Sequence, residues 1–245
     1  MRSGAEGTGC FPTGRHYPGI AHLLRVVADG VAEEFAADLP VTDLVLACLD
    51  TETTGTTAKE DRIVEVGIVL WRAGEITGRH SWLINPERQI PQGAIDVHGI
   101  SNEDVADKPV FADVCDEILA ALEGAVPVAY NADFDRGFVL AELDRLPPAT
   151  RATPPAVRAK VDWIDPLVWA RELQRAEKSK ALGEVAARLG IKIAQAHRAT
   201  DDAEATVKVL AKFFGDSRLP TAYGAFMQEQ RRLAREQAEQ RKHWR

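Results

Sequence analysis

The chain has 245 residues, 26.8 kDa and 45% hydrophobic content, enough for one ordinary domain with extensions and too much for wholesale disorder. Its 30 lysines and arginines against 37 aspartates and glutamates leave a formal charge of −7, which excludes a protein gripping nucleic acid by bulk positive charge alone. Cys10, Cys48 and Cys115 are too far apart for a disulfide framework or a thiolate zinc site, and no apolar run approaches the roughly 20 residues that span a bilayer, so a soluble cytoplasmic protein is expected.

Residues 1–18, rich in Gly, Ser, Thr and Pro without a period, read as a flexible arm. Ile20, Leu23, Leu24, Val27, Val31 and Phe35 then recur at helical spacing, which predicts an amphipathic helix within an extension over 19–42. Asp43 to Asp50 is a short apolar run bounded by polar residues and predicts a buried strand. Ile63–Trp71 and Gly78–Ile84 predict two more, joined by the turn-like Arg72-Ala73-Gly74-Glu75, and connections this short favour an antiparallel meander. Val110–Leu122 is amphipathic, Ala125–Tyr130 reads as a short strand, and Phe134–Leu146 is again helical. After a Pro-containing loop, Val161–Ile164 predicts a last strand, with Asp165 as N-cap and Pro166 at the first helical position. Leu182–Leu189 closes on Gly190, and Ala199–Phe214 is the last helix of the body. Residues 216–245 read as a charged helix or tail. A meander followed by strands alternating with helices predicts an α/β fold, a mixed sheet flanked by helices with one core over 43–215.

The carboxylates at the ends of the apolar strands carry the chemistry. Asp50 and Glu52 are two apart, so in a strand both point to one face; carboxylates that close repel and raise each other's pKa unless a cation lies between them. Oxygen-only ligands suit magnesium or manganese, although an Asp-x-Glu triplet is also an ordinary solvated strand end. In Asn131-Ala132-Asp133-Phe134-Asp135, Asp133 suits a helix cap, whereas Asp135 falls in register with Val139 on the buried side and needs a cation or a donor there. In His197-Arg198-Ala199-Thr200-Asp201-Asp202, the helical period puts Asp202 with Thr206, Val209 and Phe213, facing inward, and Asp201 with Ala205, Lys208 and Lys212 on a solvated stripe. His197 precedes that helix, where a loop histidine is either a plain surface residue or an imidazole poised above the carboxylates to take a proton from water. Four carboxylates from three segments plus a histidine match what two-metal phosphodiester hydrolysis requires, one ion activating water and the other stabilising the leaving oxygen. No P-loop and no Gly-x-Ser-x-Gly elbow is present.

The order Asp50-Thr-Glu52-Thr-Thr-Gly, Asn131-Ala-x-Phe-Asp135 and His197-Arg-Ala-x-x-Asp202 resembles the DEDDh 3'-5' exonucleases, and within them the DnaQ-like proofreading subunits of bacterial DNA polymerase III. The likeness runs from Leu44 to Phe214 and includes Val97-His98-Gly99-Ile100 and Asp107-Lys108-Pro109-Val110-Phe111. It implies a ribonuclease H-like fold with a five-stranded mixed sheet, two Mg²⁺ or Mn²⁺ ions, and release of nucleoside monophosphates from 3' ends of DNA, with RNA the alternative substrate and a non-catalytic binding module the less favoured one. Carried over, Asp50, Glu52, Asp135 and Asp202 become metal ligands and His197 the general base. Thr53 and Asn131 match the edge of the nucleotide site, His98 either its rim or a packing position, and Asp165 has a counterpart but reads first as a helix cap. A DNA polymerase is the implied partner, but the tail after Gly215 lacks a clear clamp-binding peptide. Its Arg231, Arg232, Arg235, Arg241, Lys242 and Arg245 against three glutamates read as a solvated helix or as an accessory phosphate-binding arm.

Overall fold

The first apolar run becomes β1, Leu46–Thr53, the strand on which the rest of the molecule is organised. A computed structural model describes residues 30–147, 149 and 151–243. β1 pairs antiparallel with β2 (Ile63–Arg72) and parallel with β4 (Val126–Val128), while β3 (Glu75–Leu83) edges β2, giving the order β3-β2-β1-β4. β3 starts three residues earlier than its apolar pattern, because Ala73 and Gly74 both take left-handed φ, 50° and 93°, and close a two-residue hairpin whose twist matches the strands.

The α/β expectation and the mixed sheet are met, but the sheet has four strands among the described residues, not five. Val161–Ile164 makes only isolated parallel bridges, Ile164 to Val128 and Val161 to Gly30. Ile164 N–H donates to the Pro127 carbonyl (2.9 Å) and its own carbonyl accepts from Ala129 (3.1 Å). The ladder stops there because Asp165 already turns to cap the next helix.

In chain order the helices are α1 (Gln92–His98), α2 (Asn102–Val105), α3 (Phe111–Ala121), α4 (Ala132–Arg145), α5 (Pro166–Leu173), α6 (Leu182–Arg188), α7 (Ala199–Phe213) and α8 (Tyr223–His243). Strand alternation sorts them into two layers. Leu46 and Cys48 of β1 and Val69 and Trp71 of β2 pack on the α5–α8 side; Ala47, Leu49, Val66 and Ile68 pack on α3 and α4.

Two segments depart from their composition. Residues 30–37 form turns rather than the expected helix, whose residues 20–29 lie outside the described ones. Apart from a turn bond from Phe35 N–H to the Ala32 carbonyl, they are tied to the C-terminal helix: Ala32 N–H donates to the Tyr223 hydroxyl, the Ala37 carbonyl accepts from Gly224, and the Phe35 ring meets Tyr223 edge-on at 6.4 Å. The charged C-terminal segment is a helix whose first half, through Tyr223, Phe226, Met227, Gln230 and Leu233, is buried in the same core as α5 and α7. No helix of the described residues is long and apolar enough to cross a membrane.

Candidate active site

β1 does not end at Asp50 but runs on to Thr53, so Asp50 and Glu52 continue the face of Leu46 and Cys48 and look toward α7. Opposite Asp50 in the ladder stands Gly67, where a Cβ would meet the Ala199 backbone at 2.3 Å; the missing side chain lets the start of α7 lie directly on β2. Asp202, one turn into α7, is thereby brought over the strand. Carboxylate oxygens of Asp50, Glu52 and Asp202 all lie within 4.8 Å of one another.

Asp135 comes from the other layer and is not in that trio. Thr51 has the opposite parity to Asp50, and Asp135 Oδ1 accepts from both its N–H (2.9 Å) and its hydroxyl (2.8 Å). The carboxylate is buried at 3% exposure. The donor needed on the buried side is thus Thr51.

His197 is exposed on the loop before α7, as its position before the helix implied, and has a left-handed φ of 64°. Its N–H donates to Asp202 Oδ2 at 2.9 Å, so the loop is tied to one member of the trio. Asp201 is half-buried, and its stripe is not wholly solvated, because Ala205 is buried. The other residues read from the sequence separate into rim and support. Asn131 is exposed with φ 69° at the end of β4, its N–H held by Asp165 Oδ1 (3.0 Å), while Asp165 caps α5 through Leu167 N–H (2.8 Å). The Thr53 hydroxyl donates to the Gly55 carbonyl (2.6 Å) and shapes the loop after β1. His98 is packed in rather than at an open rim: Nδ1 accepts from Ile100 N–H (3.0 Å) and Nε2 is buried without a partner. Burial pushes its imidazole pKa down, against the pull of the Thr53 backbone and Glu65.

Sequence reasoning missed Glu65. It pairs with Glu52 across the β1–β2 ladder, is 1% exposed, and accepts from Arg198 Nε (3.1 Å), Arg198 Nη2 (2.7 Å) and Ala199 N–H (3.1 Å). The pair anchors the His197 loop and the first turn of α7 to the sheet. A charged residue inside the apolar run Ile63–Trp71 was the available signal, since an isolated buried carboxylate demands a partner. Arg198→Ala would strand Glu65 as an unpaired charge beside three other carboxylates. A loss of about 3 kcal/mol is expected, the low end for breaking a buried pair because Arg198 is one-third exposed, and Arg198→Lys should restore only part of it, lacking the planar fork. Urea unfolding in EDTA measures both variants.

Burial and mutual repulsion raise the pKa values of these carboxyls when no cation is present. Asp50 is pushed well up by burial, then by Asp135, Glu52 and Asp202; Glu52 rises to about 8 by burial, then by Asp202 and Glu65. Burial lifts Asp135 to about 7 despite its bonds from Thr51, and Asp202 rises despite the His197 N–H. The buried oxygens, the all-oxygen donor set and the repulsion together fit a divalent cation. Because these folded-state pKa values exceed the ordinary 3.8–4.5, the native protein holds protons that the unfolded chain has released, and stability is lost as pH rises from about 4 through 8. In EDTA the melting temperature should fall between pH 5 and pH 8.5, and saturating Mn²⁺ should flatten that fall. A melting temperature that rises with pH in EDTA would contradict the assignment.

Comparison with known proteins agrees with this geometry. Residues 47–210 match the sequence profile of the family described as Exonuclease. A DNA polymerase III PolC-type protein of Thermotoga maritima is 31% identical over 199 residues, 80% of this chain; the chain spans only 14% of that relative. The DNA polymerase III subunit epsilon of Treponema pallidum is 31% identical over 169 residues, 68% of this chain and 74% of its own length. Among solved structures, exonuclease X in complex with 5' overhanging duplex DNA aligns with a TM-score of 0.57 at 26% identity, covering 75% of this chain and 99% of that one. The nuclease domain of 3'hExo, a DEDDh family member bound to rAMP, aligns at 0.58 with 16% identity, covers 72% of this chain and 94% of its own, and shares the fold. The profile takes in β1, α4 and the start of α7, the three segments that carry the carboxylates, and on that match the chain belongs to the exonuclease family.

Proposed function

We propose that this chain removes nucleoside monophosphates from the 3' end of DNA, at single-stranded or frayed termini, using two Mg²⁺ or Mn²⁺ ions. The observation that carries the reading is the convergence of Asp50, Glu52 and Asp202 beneath the His197 loop. When bound, the cations supply Lewis-acid activation of water and stabilise charge at the leaving oxygen. Asp50, Glu52 and Asp202 hold them from the α7 face, and Asp135, fixed by Thr51, supplies the fourth carboxylate. His197 takes the proton from the attacking water, its ring exposed on a loop that Asp202 and the Glu65–Arg198 pair keep in place. Thr53 and Asn131 border the nucleotide, and His98 supports the loop of Thr53 from below.

DNA is favoured over RNA because the relatives named above include DNA polymerase III proteins and an exonuclease solved on duplex DNA. The same names support a DNA polymerase as partner. The test is a gel assay with 5'-labelled DNA and RNA of matched sequence, in Mg²⁺, Mn²⁺ or EDTA. Stepwise shortening of DNA that requires the cation is the expected result. Shortening of RNA alone would move the substrate to RNA, and shortening of neither would overturn the reading.

A further inference from the structure

A second cluster of charge lies outside the carboxylate site. Between the first turns of α4, the α5 helix and α8 is a cavity of about 370 Å³, lined by Arg136, Arg171, Arg231, Arg235 and Arg241. In a chain of net charge −7, this is a local excess of cations. Three aspartates share the cavity, but two are committed: Asp165 to the N–H groups of Asn131 and Leu167, and Asp162 to Arg231 at 3.4 Å. Arg171, Arg235 and Arg241 make no hydrogen bond or ion pair among the described residues, and Arg136 keeps a buried Nε without a partner. Arg171 is moreover disfavoured as a cation, first by burial and then by the charge of Arg241. Five guanidinium groups against three carboxylates leave an excess of positive charge that suits an anion.

The position identifies which anion. Asn131 lines the cavity as the residue that precedes α4, four residues before Asp135. From there the cationic face of α8 leads away over roughly 15 Å between Arg231 and Arg241 at helical rise. Trp163, the only aromatic lining residue among the described ones, is buried, so no base-stacking platform is offered. Planar guanidiniums match phosphate oxygens, and contacts of that kind position a strand without reading its sequence. We infer that this groove binds the backbone phosphates of the substrate strand upstream of its 3' end. The inference rests on the exonuclease reading for the identity of the strand.

Fluorescence anisotropy with a 5'-fluorescein thymidine 20-mer in EDTA separates the groove from the chemistry. The variants are the double Arg235→Gln/Arg241→Gln, both exposed, and Arg171→Gln alone. The double variant should bind about tenfold more weakly at low salt, with a salt slope reduced by about 1.4, some 0.7 for each lost phosphate contact on a single strand. In Mn²⁺, its KM should rise about tenfold more for the 20-mer than for a thymidine dinucleotide, while Arg171→Gln weakens 20-mer binding severalfold. Arg232→Gln removes the same charge from a residue that does not line the cavity and that Glu229 and Glu236 already hold, and should change binding less than twofold. Unaltered affinity and salt slope in both groove variants, or an equal loss in Arg232→Gln, would overturn the inference even if hydrolysis persists. Failure of wild type to bind the 20-mer in EDTA would do the same. Strand binding that depends on these arginines without any hydrolysis in Mn²⁺ would keep the groove and sink the exonuclease reading.

Discussion

Asp202→Asn should lower hydrolysis by about 10³-fold or more, the equivalent of losing several kcal/mol of metal-supplied transition-state stabilisation. Asparagine preserves the shape, and its amide oxygen can still accept the His197 N–H, so what the substitution removes is the charge in the trio. Two carboxylates then remain on the α7 face, and the cations are held poorly. The same loss of charge relieves repulsion, since burial and neighbouring acids disfavour the ionised form of Asp202. Thermal stability in EDTA should therefore be normal or raised. Asp201→Asn, one residue earlier and outside the trio, should stay close to wild type in rate and metal dependence, because a partly exposed charge is worth only about 0–1 kcal/mol. Rates across a manganese titration compare the two. A dead Asp201→Asn beside an active Asp202→Asn would reassign the ligand.

Loss of the His197 imidazole should slow turnover by about 10²–10⁴-fold, the range for a positioned acid or base. The backbone chooses the variant. At φ 64° an alanine would strain the loop and confuse lost chemistry with lost geometry, whereas asparagine enters left-handed conformations readily. His197→Asn should thus keep its N–H on Asp202 and bind Mn²⁺ as wild type does, with kcat reduced. Near-normal turnover at neutral pH would remove His197 from the mechanism; wild-type Mn²⁺ affinity with low kcat is what the account requires.

The catalytic pattern was more legible than the framework that holds it. Asp50, Glu52 and Asp202 follow from two periods, two in a strand and 3.6 in a helix, and the structure brings them to one face. Asp135 was placed correctly on the buried side of α4, but its bonds to Thr51 were invisible, because they depend on β1 extending past the apolar run that hydropathy recognises. Polar residues normally end a strand pattern; here Thr51, Glu52 and Thr53 are buried instead. In the C-terminal segment the helix was legible but its burial was not. Its charge, averaged over 216–245, concealed the spacing of Tyr223, Phe226, Met227, Gln230 and Leu233, which is a helical stripe, and Gln230 anchors it by accepting from Asp165 N–H and Trp169 Nε1. Residues 30–37 mimicked a helix, since spacing alone cannot show that their backbone groups bond to the start of α8. Glu65 was readable and overlooked: a lone acid in an apolar strand announces a buried partner.

The central claim is that Asp50, Glu52 and Asp202 hold a divalent cation. Crystals soaked in MnCl₂ and measured at the manganese edge test it directly. An anomalous peak at about 2.0–2.3 Å from oxygens of all three side chains, lost in Asp202→Asn, is the predicted result, that distance being usual for small divalent cations on oxygen. A fully occupied peak elsewhere, or none at these carboxylates at millimolar Mn²⁺, would contradict it.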